Sequence, residues 1–254
     1  MEVLEHTTNP FNGIVISPDS LPTDDGAFSK RLAQSLKIWE KKGFQLVWLE
    51  VPIAKSELIP VAVQTGFSFH HSGETYLMMT RPLVDNAFIP GFATHYIGAG
   101  GVVINEKSEV LVVCEKHRGG SRPYYKLPGG ALHPGEHLAE AVVREIMEET
   151  GVQTRFEAMV CFRHWHGYRY DKSDIYFVCR LKPLTYEITP QPEEIEECVW
   201  MPVEDYLTSD YVHTFNRQIV RAALASPGVV LSDVEGYSDG RRREIFMPPD
   251  PDRV

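Results

Sequence analysis

Three glutamates, Glu145, Glu148 and Glu149, stand at positions i, i+3 and i+4 of a stretch that reads as helical. Their carboxylates therefore share one helical face. Like charges at that spacing repel one another and weaken a helix unless something cationic sits between them. Hard carboxylate oxygens on a rigid element suit Mg2+ or Mn2+, ions that prefer oxygen ligands and retain several waters. Ala139, Ala141, Val142, Val143, Ile146 and Met147 supply an apolar side that would bury the helix against a sheet. Arg144 and Glu136 can pair and so pin the preceding loop to the helix. Pro128, Gly129 and Gly130 allow close backbone approach, which makes the Gly129 carbonyl a further candidate ligand. A Glu-rich amphipathic helix is in general more often a solvated face than a metal site, so this short stretch alone decides nothing.

The elements that must hold this helix fall into two groups. Residues 1–25, rich in Pro, Asp and Thr, are expected to form a loose arm. A helix is expected over Ser29–Lys42, ended by Gly43, then a strand over Phe44–Pro52. A second helix over Ser56–Thr65 and strands over Phe67–His70 and Glu74–Thr80 complete a small α/β unit, 1–90. A second unit, 91–226, begins with a Gly-rich strand over His95–Asn105 that turns into Val110–Cys114. The helix of the glutamates runs from about His137 to Thr150 and stops at Gly151. Strands over Arg155–Arg163, Asp174–Leu181 and Glu197–Met201 and helices over Val203–Leu207 and His213–Ala225 follow. Residues 227–254 read as a tail, whose basic cluster Arg241, Arg242, Arg243 is expected to be solvated or in a subunit contact.

The 254 residues carry a formal net charge of -10, which argues against a general nucleic-acid binder. An anionic enzyme can still act on polyphosphates if divalent cations stand between its carboxylates and the phosphates. No apolar run approaches the ~18 residues needed to span a bilayer, and the acidic N-terminus lacks secretory features, so a cytoplasmic protein without membrane contact is expected. Cys114, Cys161, Cys179 and Cys198 form no CxxC pair and read as buried, reduced thiols.

The whole segment GALHPGEHLAEAVVREIMEETGV, from Gly130 to Val152, changes the weight of the glutamates. Glycine, five residues, Glu136, seven residues, then Arg144-Glu145-Ile146-Met147-Glu148-Glu149-Thr150-Gly151-Val152 is similar to the Nudix box at each fixed position. The chain resembles a Nudix hydrolase. That resemblance implies an α+β fold, a mixed sheet between helices in an α/β/α sandwich, with the box as loop-helix-loop. It implies Mg2+- or Mn2+-dependent hydrolysis of a nucleoside diphosphate linked to another group. It also implies that Glu145, Glu148 and Glu149 ligate metal together with the Gly129 carbonyl, while Arg144 and Glu136 organise the motif.

The segments VWLEVPIAKSELIPVAVQTGFSFHH, THYIGAGGVVINEKSEVLVV and EEIEECVWMPVEDY resemble the Nudix subgroup with a small N-terminal α/β pre-Nudix domain. That subgroup includes plant ADP-ribose/NADH pyrophosphatases and an animal protein linked to a growth-factor antisense transcript. The resemblance points to ADP-ribose or NADH as substrate, with AMP as product. The N-terminal unit has a βαβ-like order without a complete acetyl-CoA phosphate loop, so a role in dimerisation or in covering the active site is expected, and with it a homodimer. Alternatives are a hydrolase of dinucleoside polyphosphates or nucleotide sugars, and a nucleotide sensor that binds without cleaving.

Outside the box, the acidic run Glu193, Glu194, Glu196, Glu197 offers an extra base or ligand, with Glu194 the choice. The interleaved basic and aromatic side chains Arg163, His164, His166, Tyr168 and Lys172 could stack on a base or bind phosphate. Lys126, close ahead of the box, could contact phosphate or form a structural salt bridge. The pair His70-His71 reads as packing.

Overall fold

The computed structural model describes residues 3–117, 122–239 and 242–250. The chain divides into two compact units, Met1–Ala93 and Thr94–Val254.

In the first unit, β1 (His6–Thr8), β2 (Gly13–Ile16), β3 (Leu46–Pro52), β4 (Ser68–Ser72) and β5 (Tyr76–Pro82) form one sheet in the order β1-β2-β3-β5-β4. Helix α1 (Asp25–Lys41) begins where the Asp24 side chain accepts the Ala27 amide at 2.6 Å, an N-cap that satisfies one of the free donors of the first turn. It buries Phe28, Leu32, Leu36 and Trp39, each contributing about 1.5–3 kcal/mol of apolar burial. Helix α2 (Ile59–Gln64) starts at Ile59, later than the expected Ser56, because residues Ile53–Leu58 form a tighter 3-10 turn with Lys55 out of helical geometry. The expected loose arm at residues 1–25 is instead part of the core. Ile14 and Ile16 are fully buried in β2, which pairs parallel to β3, and Leu4 is buried beside them. The apolar run GIVI outweighs the polar composition around it.

The second unit contains a sheet in the order β10-β11-β6-β9, formed by β6 (His95–Val103), β9 (Gly129–Ala131), β10 (Thr154–Trp165) and β11 (Ser173–Pro183). A second sheet, β12-β7-β8, comprises β7 (Glu109–Glu115), β8 (Tyr125–Lys126) and β12 (Ile195–Pro202). Helix α3 (Leu138–Thr150) packs Val142 and Ile146 against Ala99, Cys179 and Leu181. An added Cβ at Gly101 would come 2.3 Å from Ile146, so the glycine permits the close approach of helix and strand. Helices α4 (Val203–Thr208) and α5 (Thr214–Ala225) bury Tyr206, Ile219 and Val220 with Val102, Val112 and Val178 in a separate cluster. Alternate residues of β6 and β11 thus feed different cores, as strand geometry requires.

Residues after 226 also pack within this unit. The Val229 and Met159 backbones exchange hydrogen bonds, and β13 (Val230–Leu231) pairs with β14 (Phe246–Met247). Arg243 lies over the Tyr237 ring at 5.6 Å, whereas Arg241 falls outside the described residues. Cys114, Cys179 and Cys198 are buried free thiols and Cys161 is half-buried. Burial pushes the Cys179 and Cys198 thiols up to about 12. Among the described residues, no helix is long and apolar enough to cross a membrane.

Candidate active site

The box lies over β9, the following loop and α3. Gly129 adopts φ +147°, and an added Cβ would come 2.3 Å from the Ala99 carbonyl oxygen, so only glycine fits where β9 meets β6. Helix α3 ends at Gly151, which takes the left-handed conformation at φ 74° and donates to the Met147 carbonyl. These two glycines set the beginning and end of the segment on which the carboxylates stand.

Arg144 organises the charges. Its Nε and Nη2 donate to Glu136 at 2.6 and 2.8 Å, and its Nη1 donates to both Glu145 and Glu148 at 2.9 Å. The forked contact holds the Glu136 carboxyl at about 2, chiefly through the Arg144 hydrogen bonds. Glu136 also accepts the His133 amide at 2.9 Å, which ties the loop back on itself. The expected pairing of Arg144 and Glu136 is present, and Arg144 in addition bridges two of the three glutamates.

Glu149 is treated differently. It is 5% exposed, and the Gly129 amide donates to its Oε2 at 2.8 Å. Burial raises its pKa to about 7, with Glu145 and Glu115 adding repulsion, against the stabilising effects of Lys126 and the Gly129 N–H. The amide of Gly129 thus ties the start of the box to its last glutamate. Glu145 lies against Gly130, where an added Cβ would stand 2.6 Å from its carboxyl oxygen. The glutamates therefore gather around residues 129–130 and Arg144. Among the described residues, no three metal-ligating side chains form a ready-made cage. The donor set nonetheless fits Mg2+ or Mn2+. It is all carboxylate oxygen, and a buried carboxylate pushed up to about 7 by its surroundings marks a place where added positive charge would be favourable.

A cavity of about 760 Å3 opens over Gly129–Ala131. Of the residues expected to bind substrate, Lys126, Arg163 and Tyr168 line it; His164, His166 and Lys172 do not. Arg163 and His164 are neighbours on β10, so their side chains leave opposite faces of the sheet. Arg163 is fixed by Asp174 at 2.5 Å and lies 5.4 Å over the rings of both Trp165 and Tyr176. Glu194 is not part of the cavity wall; its carbonyl accepts the Lys116 amide at 2.8 Å where β12 enters. The carboxylates on that wall are Asp174, paired with Arg163, and Glu115, paired with Lys126.

Two wall residues were not evident from sequence. Glu115 ends an apolar strand and looks there like an ordinary edge charge. Tyr176 occupies a space left by three glycines. An added Cβ at Gly98 would meet its ring at 2.8 Å, and one at Gly100 or Gly129 would meet its hydroxyl at 2.2 or 2.7 Å. Its pKa is raised by burial and then by the Glu149 and Glu145 charges, so the phenol stays a neutral donor. The glycine cluster was a visible signal, but nothing in sequence says which side chain fills it.

Comparison with known proteins agrees with this architecture. The "Nudix hydrolase domain" model matches residues 4–83 and the "NUDIX domain" model matches residues 94–223. The chain is 40% identical over 206 residues to Nudix hydrolase 2 of Arabidopsis thaliana, covering 80% of this chain and 74% of that protein. It is 38% identical to Nudix hydrolase 8 of Arabidopsis thaliana over 208 residues, 81% of this chain and 56% of that protein. It is 33% identical to human nucleoside diphosphate-linked moiety X motif 6 over 205 residues, 79% of this chain and 64% of that protein. A solved NUDIX hydrolase from Nitrosomonas europaea aligns at 21% identity and a TM-score of 0.45, over 51% of this chain and 88% of that one. The chain belongs to the Nudix hydrolase family, enzymes that hydrolyse a pyrophosphate bond in nucleoside diphosphate derivatives.

Proposed function

We propose that the protein hydrolyses the pyrophosphate of ADP-ribose or NADH and releases AMP, with Mg2+ or Mn2+ held by Glu145, Glu148 and Glu149. The observation that carries this reading is the cavity over Gly129–Ala131. Its volume of about 760 Å3 lies within the ~300–1,000 Å3 usual for small-molecule sites. It combines the cations Lys126, Arg163 and Arg169 with the aromatic rings of Tyr96, Tyr124 and Tyr168. A dinucleotide-like molecule presents the matching chemistry, two phosphates flanked by flat or polyhydroxylated ends. The resemblance to the pre-Nudix subgroup supports the same substrates.

The bound cation would supply charge neutralisation at phosphate oxygens and acidify a water. The remaining work falls to the chain. Lys126 on the cavity wall and Arg163, held by Asp174, attract and orient the phosphates. The Tyr176 hydroxyl donates to a phosphate oxygen beside the carboxylates. Glu115, which lines the cavity, accepts the proton of the attacking water; this reading is favoured over Glu194 because Glu194 is not among the lining residues. Arg144 and Glu136 keep the carboxylates in place without touching substrate.

A screen of ADP-ribose, NADH, dinucleoside polyphosphates and nucleotide sugars, with Mg2+ or Mn2+ and product analysis, tests the proposal. AMP from ADP-ribose or NADH as the preferred reaction is expected. Preference for either of the other classes, or binding without turnover, contradicts it.

A further inference from the structure

On the face of the β10-β11-β6 sheet opposite Arg163 and Tyr176, three imidazoles meet. His95 begins β6, His164 lies near the end of β10, and His166 follows two residues later. Ser173 of β11 pairs in register with His95, and Ile175 with His164, so these side chains share one face. The Nε2 atoms of His95 and His164 are 3.0 Å apart. His166 packs edge-on against His164 with ring centres 4.3 Å apart.

Two hydroxyls orient the rings. Thr94 Oγ1 is 2.7 Å from His95 Nδ1, and Ser173 Oγ is 2.8 Å from His166 Nδ1. When Nδ1–H donates to such a hydroxyl, the neutral ring presents Nε2 as a bare lone pair, the form that ligates metal. The lone pair of His95 Nε2 faces His164 Nε2 at 3.0 Å, where the two nitrogens can share either a proton or a cation. With metal–nitrogen bonds of about 2.0–2.1 Å, two imidazole nitrogens on one ion lie roughly 2.9 Å apart at a right angle and roughly 3.4 Å apart at the tetrahedral angle. The observed 3.0 Å falls between these values. Imidazole nitrogen suits Cu2+, Ni2+ or Zn2+ and not Mg2+, so this chemistry is distinct from that of the carboxylates.

We propose that His95 and His164 form a two-histidine site for a borderline divalent metal ion, Cu2+, Ni2+ or Zn2+, with solvent completing the coordination. The ion staples β6 to β10 across β11. Those strand ends carry Tyr96 and Arg163 on their other face, so occupancy stiffens the mouth of the cavity.

The test is calorimetric titration of Cu2+, Ni2+ or Zn2+ into the full-length chain in excess Mg2+, with electron paramagnetic resonance of the Cu2+ form. One ion per chain and a Cu2+ spectrum showing two coupled imidazole nitrogens are expected. His95→Asn and His164→Asn should each weaken binding at least tenfold and abolish any metal-induced rise in Tm, while circular dichroism stays that of the unmodified chain. Undiminished affinity in both variants, a spectrum without two nitrogens, or no binding by the unmodified chain overturns the proposal.

Discussion

The backbone N–H of Gly129 donates to the Glu149 carboxylate at 2.8 Å, joining the loop ahead of the box to the last turn of its helix. Glycine is required at that position, because its φ of +147° and its contact with the Ala99 carbonyl leave no room for a side chain. Gly129→Ala should therefore lower both stability and activity. A loss of about 2–4 kcal/mol in urea unfolding is expected from the forced backbone shift, with hydrolysis reduced at least a hundredfold under conditions where the variant is folded.

The Glu136 carboxyl, held near 2 against an ordinary 4.5 by Arg144, makes stability depend on acid pH. A depressed carboxylate contributes stability above its unfolded value and loses it as pH falls through the folded one. The stability gap between the unmodified chain and Glu136→Gln should be constant above about pH 5 and shrink from 4.5 toward 2. Unfolding curves at stepped pH measure this; a gap that widens in acid would contradict the pairing.

Tyr176 fills the space between Gly98, Gly100 and Gly129 and faces the cavity with its hydroxyl. Tyr176→Phe keeps the packing and removes one donor. About a tenfold to hundredfold fall in kcat, little change in KM and an unchanged Tm are expected if the phenol acts on the transition state. An unaltered kcat assigns the residue to packing alone.

Helix α3 lacks a cap from its own sequence, since the His137 side chain makes no capping bond. Glu244 replaces it from 106 residues away, accepting the Leu138 amide at 2.6 Å. Glu244→Ala should cost about 1 kcal/mol, and Glu244→Gln less, by chemical denaturation.

This distant cap shows what the sequence could and could not reveal. The box was legible because its spacing is local: Arg144, Glu136 and the three glutamates lie within one loop and helix, and the Arg144–Glu136 pairing follows directly from it. Most strands and helices were visible from periodicity, with ends displaced by a few residues. The segment 1–25 reads as a loose arm because its polar residues mask Ile14 and Ile16, whose burial depends on pairing with a distant strand. The cavity lining was half legible for a similar reason. Arg163 and His164 look equivalent in sequence, and only the face of β10 separates the cavity wall from the histidine cluster. Glu115 and Tyr176 become evident only when β7, β8, β9 and β11 are brought together.

The most direct test of the central claim is AMP release from ADP-ribose and NADH, measured against Mg2+ concentration for the unmodified chain and for Glu148→Gln. Glu148 is half exposed and accepts from Arg144, so the substitution should leave the fold intact. The account predicts Mg2+-dependent AMP release in the unmodified chain and a loss of about a hundredfold or more in Glu148→Gln. Turnover that survives Glu148→Gln, or that proceeds equally without a divalent cation, would contradict it.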